Sequence, residues 1–339
     1  MGGKRVLLKN LKMMTKTAKW FLVILVFFAL IAIGIFFSYL TQKEIYNVKI
    51  GYLPITVSLP LFVALENGYF DDVDLNVTPI KFSNSNLIME SLVGESLDAT
   101  SGVAYSTLLA LESQQAGNFK VYSGSRETEK NFVNFLIVKN DSAVKKISDL
   151  KGKKIIIRTG IANKIYVSLI LKEFNLTLDD IQLQQVDPSL IVQTFNSPAV
   201  DAVLDVEPAM TIILEEGLGR VLIENPRVKY VLNPFHNAGT VFSAKFLNEQ
   251  PTNAKKIIAA TNKAIDFIEE NPQEAKLIMA KYLLLDKRIA SKSNIYDFEK
   301  ISEIDINDVQ KLADIAYEKG EIIKKINVSH IFLTELEFK

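Results

Sequence analysis

VKIGYLPITVSLPLFVALENGYF, residues 48–70, is the stretch from which the fold can be read. An apolar run closing on Gly51-Tyr52 is followed by the loop Pro54-Ile55-Thr56-Val57-Ser58. An apolar segment then takes Pro60 into its first turn and stops at Gly68. Proline presets the opening turn of a helix and glycine accepts the left-handed turn that ends one, so the order is strand, short loop, helix. That unit is the repeating element of an α/β sheet.

Outward from it the alternation continues. LNVTPIKF reads as a strand, NLIMESLVGES as a helix, LDATSG as a short strand and STLLALESQQ as a helix. NFVNFLIVKN, KKIIIRTG, DIQLQQVD and VDAVLDVEP read as further strands, with NKIYVSLILKEFN and AMTIILEEG as helices among them. The expectation is an α/β body with a mainly parallel sheet. From about Pro251 the apolar residues fall three and four apart, which predicts amphipathic helices packed on a finished sheet. Asn271-Pro272 starts one of them and Gly320 lies near the end of another.

Toward the N-terminus, residues 20–40 form an uncharged run of 21 residues, preceded by Lys4, Arg5, Lys9, Lys12, Lys16 and Lys19 with no acid among them. At about 1.5 Å per residue, a helix of this length crosses a hydrocarbon core of about 30 Å. Ala32-Ile33-Gly34 is the best site for signal cleavage, but a cut there leaves Ile35-Phe36-Phe37 as a greasy new terminus, which favours an uncleaved anchor. The basic cluster stays in the cytoplasm by the positive-inside rule and sends residues 41–339 outward. The formal charge of zero, 39 bases against 39 acids, is therefore an average: the part beyond the apolar run holds 33 bases and all 39 acids. Such an acidic body lacks the basic face of a nucleic-acid binder.

With no cysteine there is no disulfide, thiolate metal site, cysteine nucleophile or lipid-modified cysteine. His236 and His330 are the only histidines, and no glycine-rich nucleotide motif is present, so neither a cofactor nor a catalytic group is expected. What remains is a set of loops at strand ends: residues 54–58, Ser83-Asn84-Ser85-Asn86, Ser101-Gly102-Val103-Ala104, and Arg158-Thr159-Gly160-Ile161-Ala162-Asn163. Helix N-termini there present unpaired N–H groups and partial positive charge, so four such loops point to one shared ligand cleft. Each taken alone reads equally well as a helix cap.

Residues 48–70 resemble the opening signature of ABC-transporter substrate-binding proteins of the nitrate/sulfonate/taurine/thiamine-precursor group, down to the Pro-Leu-Phe-Val-Ala helix and the turn Gly68-Tyr69-Phe70. LVGESLDATSGV, ISDLKGKKIIIRTG, VDAVLDVEP and Asn271-Pro272-Gln273-Glu274-Ala275 resemble that family's later signatures in the same order, so the likeness covers about residues 46–282. It implies a two-lobed type II periplasmic-binding fold behind a basic leader, 1–19, and a transmembrane signal anchor, 20–40. Lobe 1 is then 46–133 plus 238–339, and lobe 2 is 134–237. It further implies hinge closure over a small solute, with an ABC permease and its ATPase as partners.

Carried onto this sequence, the family's ligand contacts fall on Thr56, Ser58, Asn84, Gly102, Val103 and Ala104 from lobe 1, and on Arg158, Thr159, Gly160, Asp205 and Glu207 from lobe 2. Arg158 either pairs with an anionic group or turns into lobe packing. Asp205 and Glu207 either oppose a bare anion and favour an amine or aminopyrimidine, or pair with a lysine and cap the helix after Pro208. Tyr52, Phe82 and Tyr105 stand beside the loops as stacking candidates. The resulting expectation is a membrane-tethered receptor, its body outside the cytoplasm, that takes a thiamine-precursor pyrimidine or similar nitrogenous solute. Sulfonate, taurine or nitrate is the alternative ligand class. An enzyme of the same fold acting on a pyrimidine or menaquinone precursor is the alternative activity, against which the anchor and the missing cysteine-rich tract both count.

Overall fold

The computed structural model describes residues 15–40 and 46–334. Lys4, Arg5, Lys9 and Lys12 of the basic leader lie outside the described residues. The chain divides into two units, residues 1–45 and 46–339. In the first, Lys16–Leu40 is one helix of 25 residues that carries the apolar run. The side chains of residues 18–19, 22–23, 26 and 34–40 lie outside the described set. Counted over the described residues alone, no helix is long and apolar enough to cross a membrane.

The strands of the second unit form two sheets. β1 (Tyr46–Tyr52), β2 (Leu75–Lys81), β3 (Ala99–Ser101), β4 (Val103–Ala104) and β5 (Phe119–Glu127) belong to a seven-stranded sheet. The chain then leaves it to build a five-stranded sheet from β6 (Asn134–Lys139), β7 (Lys154–Arg158), β8 (Gln182–Val186), β9 (Ala202–Val206) and β10 (Gly219–Glu224), in the order β10-β6-β9-β7-β8. β11 (Phe235–Ser243) and β12 (Asp297–Lys300) return to the first sheet, whose order is β12-β5-β11-β3-β1-β2 with β4 beside β11. Two segments, 128–133 and 225–234, thus cross between the sheets. β11 pairs with β5 from Phe235 onward, so residues 235–237 already belong to the seven-stranded sheet, ahead of the expected boundary at 238.

The expected mainly parallel sheet is mixed. β1–β2, β1–β3, β7–β8 and β7–β9 are parallel, and the other six pairings are antiparallel. Strand–helix–strand units give parallel neighbours, whereas β6 and β11, which arrive by crossing from the other sheet, run against theirs. Local sequence carries the first kind of connection and not the second.

Helix Leu59–Glu66 forms as read, with Pro60 in its first turn and Gly68 at φ 70° just past its end. It buries Leu59, Leu61, Phe62, Val63 and Ala64, and packs against the long helix Pro251–Glu270. At roughly 2 kcal/mol per buried large apolar side chain, these contacts fix the helix rather than its intrinsic propensity. Pro251–Glu270, Pro272–Leu283 and Ile306–Glu318 are the amphipathic helices expected beyond Pro251. β12, absent from the sequence reading, is an edge strand of four residues, Asp-Phe-Glu-Lys, too short and too charged to show a strand pattern. The apolar core around Leu53, Tyr105 and Phe235 also takes in Ala162, Tyr166, Val206 and Val228, so the two sheets' loops close on one another.

Candidate functional site

A cavity of about 50 Å³ lies where the loops of the two sheets meet. Leu53, Ile55 and Val57 form its apolar wall. Gly102, at φ 77°, permits the close approach: a Cβ there would stand 2.7 Å from both methyls of Val57. Asn84 caps helix Ser85–Val93, its Oδ1 accepting from Leu87 N at 3.1 Å. Ser85 Oγ accepts from Ala104 N at 3.3 Å. Across the cleft, Asn86 Oδ1 accepts from Ile161 N at 3.2 Å, at the start of helix Ile161–Lys172. Gly160, at φ 130°, donates its N–H to Gln185 Oε1 at 2.9 Å, and a Cβ on it would meet Asn84 Cβ at 3.3 Å. Ser85, Gly160 and Ala104, the last just before helix Tyr105–Gln114, thus bring the starts of three helices to one small space, where peptide dipoles favour negative charge.

Two arginines complete the lining. Arg158, at the end of β7, is buried and donates through Nη2 to Asp205 Oδ1; its Nε has no hydrogen-bond partner among the described residues. Arg227 donates through Nη1 to Glu127 Oε1 at 2.9 Å and to Asn237 Oδ1 at 2.8 Å. Its guanidinium carbon stands 4.6 Å from the centre of the Tyr166 ring. Burial pushes the Glu127 carboxyl up, and the Arg227 guanidinium beside it pulls the other way. Asn163, Tyr166, Asn237 and Tyr296 fill the rest of the polar wall. No aspartate, glutamate, histidine or lysine is among the described lining residues. No group of three or more histidine or carboxylate side chains is placed to hold a metal ion among the described residues.

A family model described as NMT1/THI5 like matches residues 55–275, about two thirds of the chain and all four loops of the cleft. The chain belongs to the NMT1/THI5-like family. This NMT1/THI5-like chain is 26% identical over 300 residues to a putative aliphatic sulfonates-binding protein of Bacillus subtilis (strain 168), covering 86% of each. It is 23% identical to a 4-amino-5-hydroxymethyl-2-methylpyrimidine phosphate synthase of Candida albicans (strain WO-1), over 64% of this chain and 65% of that protein. Among solved structures it resembles the alkanesulfonate-binding protein SsuA of Xanthomonas axonopodis pv. citri bound to MOPS, at TM-score 0.70 and 17% identity, over 86% of this chain and 99% of that one. That likeness shows the fold of the periplasmic binding proteins.

In this NMT1/THI5-like fold the residues singled out from sequence divide into two groups. Asn84, Gly102, Ala104, Arg158, Thr159 and Gly160 line the cavity together. Thr56, Ser58, Val103, Asp205 and Glu207 do not line it. Thr56 and Ser58 are fully buried, Thr56 Oγ1 donating to Glu207 O at 3.3 Å and Ser58 Oγ to Ser101 O at 3.2 Å, and Val103 is in the core. Asp205 answers Arg158. Glu207 lies beyond the end of β9, not on its face, and caps the next helix: Oε2 accepts from Thr211 N at 3.0 Å, and Oε1 accepts from Thr211 Oγ1 at 2.8 Å and Asn294 N at 3.3 Å. Burial pushes its carboxyl up to about 7 against those three bonds. The preference for a cationic ligand rested on these two carboxylates, and the cavity wall contains neither.

Tyr52, Phe82 and Tyr105 are likewise absent from the lining. Tyr105 is core and Phe82 packs against the same cluster, while Tyr52 meets the Phe62 ring edge-on. Tyr166 and Tyr296 take the aromatic positions instead. His236 is fully buried, its Nδ1 3.2 Å from Glu299 Oε2. Arg227, Asn237 and Tyr296 were not found by sequence reading, because β10, β11 and β12, the strands beside them, are not among the strands it recognises. The one local signal was Asn225-Pro226, a strand end followed by a helix start, the same grammar as the four loops that were recognised.

Proposed function

We propose that this chain is the extracytoplasmic solute-binding component of an ABC importer, and that its cleft takes a small solute bearing an oxyanion, with sulfonate as the leading class. The observation that carries the ligand class is the charge of the cavity wall: two arginines, residues from three helix starts, and no carboxylate among its described residues. A sulfonate spreads one negative charge over three oxygens, which suits planar guanidinium forks and backbone N–H groups. The name of the Bacillus subtilis relative supports the same class. Asn84, Gly102, Ala104, Arg158, Thr159 and Gly160 serve as contacts in this reading, and Thr56, Ser58 and Val103 frame the loops that present them.

Residues 46–133 plus 235–339 and residues 134–234 act as the two lobes, the expected boundary at 238 moving to 235 where β11 joins the first sheet, and the two crossings act as the hinge. A cavity of about 50 Å³ holds only a few waters, so a solute is seated by parting the lobes and closing them over it. The uncharged run at residues 20–40 anchors the body to the membrane, with the basic leader inside. The lining supports binding rather than turnover, since none of its described residues is a carboxylate, histidine or lysine placed to move a proton.

Thermal-shift titration of the full-length chain in detergent tests this, with methanesulfonate, taurine, nitrate and 4-amino-5-hydroxymethyl-2-methylpyrimidine as probes. A sulfonate at a hundred times its Kd stabilises the folded chain by about 3 kcal/mol and is recovered unchanged. Stabilisation by the pyrimidine alone would overturn the ligand class, and consumption of any probe would overturn the receptor reading.

A further inference from the structure

Glu127 and Asn134 bracket the first crossing, Asn225 opens the second and Asn237 follows it on β11; all four are buried. They are tied to one another across the gap between the two segments. Asn134 Nδ2 donates to Glu127 Oε2 and, at 3.3 Å, to Asn225 Oδ1. Asn225 Nδ2 donates to Thr128 O at 2.7 Å, and Arg227 N donates to Asn134 Oδ1 at 3.4 Å. Arg227 extends this net in three directions. Its Nη1 joins Glu127 on the first crossing to Asn237 on β11, its guanidinium faces Tyr166 on a helix of the five-stranded side, and it lines the cavity. Its Nε is buried without a hydrogen-bond partner among the described residues.

We propose that Arg227 is the residue through which an anion in the cavity sets the hinge. The guanidinium answers one anion of the chain itself, Glu127, at the root of the hinge. A ligand oxyanion supplies a second and takes the unused Nε–H. Ligand, both crossings and the Tyr166 helix then form one hydrogen-bonded unit, and opening the cleft has to break the ligand's contact. Ligand binding shifts the hinge because Arg227 makes that contact in the closed state and not in the open one. The guanidinium's fork is needed, because Nη1 holds Glu127 and Asn237 while Nε, a second nitrogen on another edge, is left for the ligand, and an ammonium has its three donors on one nitrogen. The inference rests on the oxyanion reading of the cleft.

The chain has no cysteine, so the exposed pair Gln115→Cys and Asp179→Cys, one on each side of the cleft, can be spin-labelled in the full-length protein without other changes. Inter-label distance and calorimetric Kd are measured with methanesulfonate as probe. The parent shortens its distance distribution on binding. Arg227→Lys binds at least tenfold more weakly and, even when saturated, keeps the distance of the empty protein, whereas saturated Arg158→Lys still closes. Closure of saturated Arg227→Lys to the parent's distance would overturn the inference alone. Failure of the parent to bind methanesulfonate would overturn the oxyanion reading, and the inference with it. If Arg227→Lys does not fold, Glu127→Gln asks the same question with the cation kept: methanesulfonate binds more tightly and closure is reduced, and an unchanged closure would sink the idea.

Discussion

The seven-stranded side of the cleft contributes Asn84, Ser85, Gly102 and Asn237 to the cavity and no charged group, whereas the five-stranded side and its following turn contribute both arginines. Each arginine is matched by a carboxylate set behind it, Asp205 for Arg158 and Glu127 for Arg227. Positive charge is therefore presented from one side and balanced out of the ligand's reach, while the other side offers neutral donors and acceptors at close quarters. Under the proposed function, an anion is attracted to the five-stranded side while the cleft is open, and the seven-stranded side tests its shape on closure.

Removing a charge from the five-stranded side does the most damage. Arg158→Met leaves Asp205 buried without its cation, which costs about 3–5 kcal/mol of stability, and it lowers affinity for a sulfonate by about a hundredfold. Chemical denaturation and calorimetry read the two effects. If Asn84→Ala reduces affinity as much as Arg158→Met does, the sides are equivalent and the division of labour is wrong.

A second test uses pH and concerns Glu207, where the two sides meet. Its carboxyl titrates near 7 in the folded protein against an ordinary value of 4.5, so its protonated form favours folding. That contribution is fully present below about 4.5 and is lost as pH rises through about 7, amounting to about 3 kcal/mol. Glu207→Gln, which never ionises, therefore gains stability relative to the parent between pH 4.5 and 8. Urea unfolding across that range measures the gain, and a pH-independent difference would show that Glu207 does not titrate as described.

The smallest effect expected is at Thr56, whose hydroxyl reaches from the seven-stranded side to Glu207 O at 3.3 Å. Thr56→Val removes that link and keeps the shape, costing about 1 kcal/mol of closed state, about fivefold in affinity. An affinity equal to the parent's would show that the contact does not help hold the cleft shut.

Sequence made β1 to β3, β6 to β9, the helices among them and the positions of four cleft loops legible, because proline, glycine and asparagine mark helix starts and ends locally; β5, β10, β11 and β12 went unread. It left open which polar residues face the cavity. Asp205 and Glu207 look alike in the sequence, but one is claimed by Arg158, 47 residues away, and the other by Thr211 and Asn294. Arg227 stayed hidden for the same reason: its partners Glu127 and Asn237 come from the two strands at the hinge, and no local spacing brings them together.

The sheet order also bears on how the chain is made. β5 pairs with β11 and β12 and, at Val121, with Phe332, all of them synthesised about a hundred residues or more after it. A ribosome releases the N-terminal part first, so β1, β2 and β3 can pair at once, and the whole five-stranded sheet can follow, while β5 still presents two bare edges. An unpaired strand with buried-type residues such as Phe119, Val121 and Tyr122 is a template for association with other chains. The nascent protein is thus most prone to aggregation in the interval between Glu127 and Phe235, and a factor that shields unfolded segments during synthesis would act chiefly in that window.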